Sequence, residues 1–247
     1  MSFQNKVAVV TGGSSGIGKA VAIELVKQGA NVVINGRREQ LLVEAAKEID
    51  PTGKQIAYVI GDISDPQIAE RLIAEGLSRF GRIDTLVNNA GIFISKSFTD
   101  YTKEDLESKL AVNLKGFFHV TQHAVTEMLK TGSGHIVNIT ASGAVDQPIK
   151  GVPSVLAALT KGGLAAATKS LAIEYADKGI RVNAVAPGII KTPMHPVETH
   201  DFLAKLHPIG VMGEAQDIVN AILYLESARF VTGEILHVDG GQSAGRW

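Results

Sequence analysis

Two hydrophobic rhythms alternate along the chain. Short runs that are apolar at nearly every position recur at Val7–Val10, Asn31–Asn35, Gln55–Val59, Thr85–Val87, His135–Ile139, Arg181–Ala186 and Glu234–Val238. Strands buried on both faces read this way, because neither side meets water. Between them lie longer stretches with helical patterns: Gly18–Lys27, Arg38–Ile49, Asp65–Phe80, Lys103–Leu129, Leu156–Tyr175 and Ala215–Leu225. Strands alternating with helices predict an α/β fold, a parallel sheet covered on both faces. Pro187–His207, with three prolines and a glycine, is expected to be the longest irregular stretch, and long loops in compact domains are usually functional.

Length and composition narrow this picture. A chain of 247 residues, 45% hydrophobic, suits one α/β domain over 1–247. Its formal charge of −1 and the lack of a basic stripe argue against a nucleic-acid partner. There are no cysteines, which excludes disulfides, thiolate metal sites and thiol nucleophiles. The first apolar run is too short for a signal peptide, and no stretch approaches the ~18 residues of a membrane helix. A soluble, cytoplasmic protein without a membrane partner is expected.

Chemistry enters where strands end. After the first strand comes Thr11-Gly12-Gly13-Ser14-Ser15-Gly16-Ile17-Gly18. Glycines there permit a sharp turn and let backbone amides approach a pyrophosphate, and a helix N-terminus adds partial positive charge. The second strand runs into Gly36-Arg37-Arg38 with no acid. An acid would accept from a ribose 2′-hydroxyl; guanidinium groups suit a 2′-phosphate instead. NADP(H) is therefore expected in preference to NAD(H), with Arg37 the main contact and Arg38 and Ser14 helping. Asp62, closing the third strand, is a candidate partner for adenine's amino group.

These features, with Asn88-Asn89-Ala90-Gly91, Asn113 in A-V-N-L-K-G, Ser142 in N-I-T-A-S-G, Lys161 in T-K-G-G-L, R-V-N-A-V-A-P-G at 181–188 and V-T-G-E-I-L-H-V-D-G-G at 231–241, make the chain resemble a short-chain dehydrogenase/reductase over essentially its whole length. The resemblance implies a single Rossmann-like, doubly wound domain with a seven-stranded parallel sheet, and a homotetramer or homodimer. It implies hydride transfer between nicotinamide and a hydroxyl or carbonyl carbon. The implied cofactor contacts are Gly12, Ser14, Ser15, Gly16, Ile17, Gly18, Arg37, Arg38, Asp62, Ile63, Asn89, Ala90, Gly91, Lys161, Pro187, Gly188, Ile190 and Thr192. The implied catalytic set is Ser142, Lys161 and Asn113.

One member of that set is missing. The family's proton donor is a tyrosine four residues before the active lysine, and here Ala157 stands there. The nearest tyrosine on that helix is Tyr175. Ser142 remains an expected oxyanion stabiliser. A water held by Lys161, Ser142 and the Asn113 backbone is the expected substitute relay. Direct donation by Lys161 is an alternative, as is a histidine, His195 or His200, from the segment after Pro187-Gly188. No H-E-x-x-H motif is present, and no metal is expected. Phe98, Leu156 and Phe202 are expected to line an apolar or aryl ketone pocket at the carboxyl edge of the sheet. Two further readings stay open: an impaired NADP(H)-binding sensor or assembly protein, and a dehydration or epimerisation on the same fold.

Overall fold

The computed structural model describes residues 3–245. In chain order the elements are β1 Val7–Val10, α1 Gly16–Lys27, β2 Asn31–Gly36, α2 Glu39–Ile49, β3 Ile56–Ile60, α3 Pro66–Phe80, β4 Thr85–Asn88, α4 Lys103–Leu110, α5 Gly116–Thr131, β5 Gly134–Ile139, α6 Ser142–Val145, α7 Val155–Tyr175, β6 Ile180–Pro187, α8 His200–Ala204, α9 Ala215–Ser227 and β7 Ile235–Val238. The seven strands form one sheet in the order β3-β2-β1-β4-β5-β6-β7, every neighbouring pair parallel. The expected architecture is therefore the observed one.

Alternation along the strands builds the two covered faces. In β1, Ala8 and Val10 join Val32 and Ile34 against Val21, Leu25, Leu42 and Ile218 of α1, α2 and α9. Val7 and Val9 point the other way, with Val33, toward Leu72, Val120 and Met128 of α3 and α5. Local chemistry sets the helix ends. The Asp65 carboxylate accepts from the Gln67 amide just before Pro66, and Gly81, at φ 83°, turns the chain out of α3.

Two expectations on element boundaries need correction. The predicted helix Lys103–Leu129 is interrupted: a π-helical turn, Ala111–Lys115, separates α4 from α5. Periodicity does not reveal one inserted backbone turn, and such turns cluster at functional sites. The segment expected to be irregular after β6 contains α8 and a short turn of 3-10 helix at Val197–Thr199.

The sheet's two edges differ. The order reverses beside β1, between β2 and β4, so the crevice at the carboxyl ends of the strands is the place where such folds bind ligands. The amino-terminal edge is closed by a buried polar cluster. Glu226 lies 2.5 Å from His135 Nδ1, 2.9 Å from Lys6 Nζ and 3.2 Å from Thr85 Oγ1. The Asn183 amide donates to His135 Nε2 at 3.0 Å. Nε2 is thus the acceptor, and Nδ1 carries the proton given to Glu226. Arg181 donates to the carbonyls of Leu225, Glu226, Ala228 and Val231, capping the end of α9.

Candidate functional site

One cleft of about 780 Å³ runs across the carboxyl edge. Its first end is made by the turn after β1 and the end of β2. Gly12 adopts φ 67°, a conformation that favours glycine. A side chain on Gly13 would lie 2.6 Å from Ile34. Ser15 precedes α1 without a side-chain bond to the helix, so the first-turn amides have no side-chain cap. Asn89 braces the turn, its amide donating to the carbonyls of Thr11 and Gly12 at 2.9 and 3.2 Å. Arg37 and Arg38 line the same end. Bare amides, a glycine turn and two guanidinium groups fit a phosphorylated nucleotide.

Of the expected cofactor contacts, all but Gly18 line this cleft. Gly18 packs instead: a Cβ there would meet Asn89 Nδ2 and the Gly12 carbonyl oxygen at 2.5 Å. Asp62 lies 3.5 Å from Arg37. Burial raises its pKa, but hydrogen bonds from Ser64 and the Arg37 charge outweigh that and hold it below the usual carboxylate range. The ion pair means that Arg37 already shares its charge.

At the other end, Lys161 on α7 lines the cleft and donates to the Ile139 carbonyl at 2.6 Å. Burial, and then the charge of Lys109, push its pKa down to about 8. Ala157, one turn earlier, also faces the cleft, and none of the chain's four tyrosines lines it.

Ser142 is where the sequence reading fails. It is fully buried, and its hydroxyl has the Pro187 carbonyl and Gln242 Oε1 as acceptors, each at 3.2 Å. Ala141 and Gly143 face the cleft in its place. The cause is local: Ala141 is still extended, at φ −164°, so the next side chain points to the opposite side. The Ser142 hydroxyl therefore points away from the water site expected between Lys161 and the Asn113 backbone. Asn113, buried in the π turn, accepts from the Ile92 amide at 3.0 Å and donates to the Ile92 carbonyl at 3.3 Å and to Thr160 Oγ1 at 3.1 Å. It fastens the segment after β4 rather than facing the cleft.

The expected pocket residues are also corrected. Phe98 and Phe202 are exposed and Leu156 is in the core, and none of the three lines the cleft. Phe202 lies on the outer side of α8, while its neighbour Leu203 faces in. The apolar wall is supplied by residues such as Ile92, Phe93, Ile149, Val152, Met194 and Leu203. His195 also lines the cleft, its ring Nδ1 bonded to the Ile190 carbonyl at 2.8 Å, whereas His200 turns back to the His195 carbonyl.

Lys109 escaped the sequence reading. It is only 1% exposed yet touches the cleft. Its ammonium donates to the Ile92 carbonyl and sits 5.2 Å above the Phe93 ring. Its only sequence signal is its place four residues before Asn113, on the same helix face.

The family model described as enoyl-(acyl carrier protein) reductase matches residues 12–243. The chain belongs to the short-chain dehydrogenase/reductase family. Among relatives of this oxidoreductase is the 3-oxoacyl-[acyl-carrier-protein] reductase FabG of Thermotoga maritima, 37% identical and aligned over 98% of this chain and 99% of that one. Another is the (2S)-[(R)-hydroxy(phenyl)methyl]succinyl-CoA dehydrogenase subunit BbsD of Thauera aromatica, 36% identical over 98% of each. The solved structure of ElxO with NADP bound matches this family member with a TM-score of 0.89 and 33% identity, over 97% of this chain and 99% of that one. Among the described residues no helix is long and apolar enough to cross a membrane.

Proposed function

We propose that this short-chain dehydrogenase/reductase is an NADP(H)-dependent carbonyl reductase, acting in reverse as an alcohol dehydrogenase, on a small apolar or aryl ketone. One observation carries this reading: a single cleft joins two guanidinium groups and a glycine turn at one end to a half-buried lysine between apolar walls at the other. The NADP named with ElxO supports the cofactor, and the names of FabG and BbsD support ketone and phenyl-carbinol chemistry. When bound, the reduced nicotinamide supplies hydride. Arg37 and Arg38 would hold the 2′-phosphate, with Arg37 favouring NADP(H) over NAD(H). Lys161 would bind ribose hydroxyls, and Ile92, Phe93 and Met194 would exclude water from the reacting carbonyl. The relay uses no tyrosine. A homotetramer or homodimer in the cytoplasm completes the reading, supported by exposed Phe118, Leu159 and Ile173 on α5 and α7.

A carbonyl panel with NADPH and NADH tests it, beside Ala157→Tyr and Arg37→Ala. The expected result is ketone-dependent loss of NADPH absorbance. Arg37→Ala should weaken NADPH by ~10–100-fold, the worth of a charge-assisted hydrogen bond, and spare NADH. Ala157→Tyr should raise the rate, by up to ~10²–10⁴-fold if only a positioned acid is short. A second reading, an NADP(H)-binding sensor, is favoured by the two alanines, Ala141 and Ala157, on the cleft wall. Tight NADPH binding without turnover across the panel would select it.

A further inference from the structure

Two lysines line one end of the cleft, and no acid lines that end. Lys161 comes from α7 and Lys109 from the last turn of α4. Both flank the Gly91–Ile92 segment that follows β4. The Ile92 carbonyl accepts from Lys109, and a Cβ on Gly91 would lie 3.3 Å from Lys161 Nζ. Among the described residues neither amine has a carboxylate partner within ion-pair distance. Asp62, the one acid lining the cleft, stands at the far end beside Arg37.

Burying an amine is expensive, and burying two side by side is more so. Packing alone would be served better by leucine or methionine. Neither amine can be relieved by a hydroxyl at 141 or 157, since both positions are alanine and Ser142 points away. The remaining titratable groups facing this end are few. His195 lines the cleft from the segment after β6, and the Lys96–Asp105 pair, at 2.6 Å, lies at the N-terminal end of α4.

We propose that the Lys109 ammonium is the proton donor to the reacting carbonyl oxygen. The inference rests on the reductase reading above. In the step, the carbonyl carbon takes up hydride and the C=O π bond breaks. The oxygen then forms its O–H bond with a proton from Nζ. One N–H bond of Lys109 is lost, the ketone is reduced, the dinucleotide is oxidised, and the neutral amine regains a proton from solvent. Lys161 has a separate part: its ammonium is tied to the Ile139 carbonyl. Burial places Lys109 at a pKa of about 8, far from an ordinary lysine and suited to donation near neutrality.

The test compares the unmodified chain with Lys109→Arg and Lys109→Ala, using the best ketone from the panel. Arginine keeps charge and bulk but does not release its proton. Both variants should lose ~10²–10⁴-fold in kcat, with NADPH affinity retained. Ethylammonium should restore part of the Lys109→Ala rate. In the unmodified chain, kcat for reduction should fall as pH rises through about 8, because the donor must be protonated. Independently of activity, the Lys109 side-chain ¹³Cε signal, assigned in the unmodified chain by sequential through-bond correlation, should titrate near the same pH. Full kcat in either variant overturns the proposal, as does a loss confined to KM without amine rescue. Titration of the Lys109 signal above ~10, the ordinary lysine range, also overturns it. Should the variants not fold, the signal's titration in the unmodified chain decides. Turnover that ignores Lys109 leaves the reductase reading standing; NADPH binding without any turnover removes both.

Discussion

Acid should unfasten the amino-terminal edge of the sheet through Glu226. Burial alone would raise the pKa of this carboxyl. Hydrogen bonds from His135 and Lys6, with the charge of Lys6, reverse that and hold it at about 2, against an ordinary 4.5. His135 itself is pushed below its ordinary value by burial, despite Glu226; this agrees with the neutral ring that the Asn183 contact requires. The unfolded chain takes up the Glu226 proton near 4.5, and the folded chain only near 2. The carboxylate therefore stabilises the fold fully above the unfolded value, and this contribution is lost as pH falls toward 2. The difference is worth ~3 kcal/mol, at ~1.4 kcal/mol for each tenfold change in proton affinity. In Glu226→Gln this slope is absent, although the variant starts lower at neutral pH because the negative charge facing Lys6 and one of the two acceptor oxygens are lost. Urea titrations followed by circular dichroism, from pH 7 to pH 2, measure both proteins. The stability gap should be constant above pH 5.5 and narrow by ~3 kcal/mol below it. Loss through His135 runs in the same direction near its ordinary 6.5, but is present in both proteins. Parallel curves down to pH 2.5 would refute the reasoning.

Two shorter predictions concern the cleft. Gly18→Ala drives a methyl group against the Gly12 carbonyl and Asn89; it should cost ~1–3 kcal/mol by overpacking and weaken dinucleotide binding, and an unchanged melt with unchanged affinity would contradict the packing described. Ser142→Ala should leave kcat untouched while lowering stability by ~1 kcal/mol, the worth of one hydrogen bond; a collapse of kcat at unchanged stability would return the hydroxyl to the chemistry.

What could be read from the chain followed burial. Doubly buried strands and amphipathic helices leave a strong pattern, so Val7–Val10 and α3 emerge almost to the residue. The glycine turn and the arginines after β2 were readable because backbone freedom and charge are properties of residue type. Facing was not. Ser142 and Ala141 differ by one position at a strand end, where one step flips the side chain. The aromatic residue on the cleft wall is Phe93, not Phe98 or Phe202, and only the path of the segment after β4 decides between them. Lys109 reads as one more surface lysine in a charged helix until its burial against Ile92 and Phe93 is seen.

Gln242 lines the cleft, donates from Nε2 to the Leu206 carbonyl at 2.8 Å and accepts from Ser142. A second tie, from the Ile209 amide to the Gly240 carbonyl, lies alongside. The stretch around Leu206–Ile209 and the stretch after β7 are therefore sewn to each other and to the floor beneath them. Neither can swing outward alone. Any breathing that admits a bulky guest past Leu203 has to unpick both seams, so the amide protons of Leu206, His207, Ile209 and Gly210 and those from 240 to 243 should exchange with solvent deuterium as one cooperative unit.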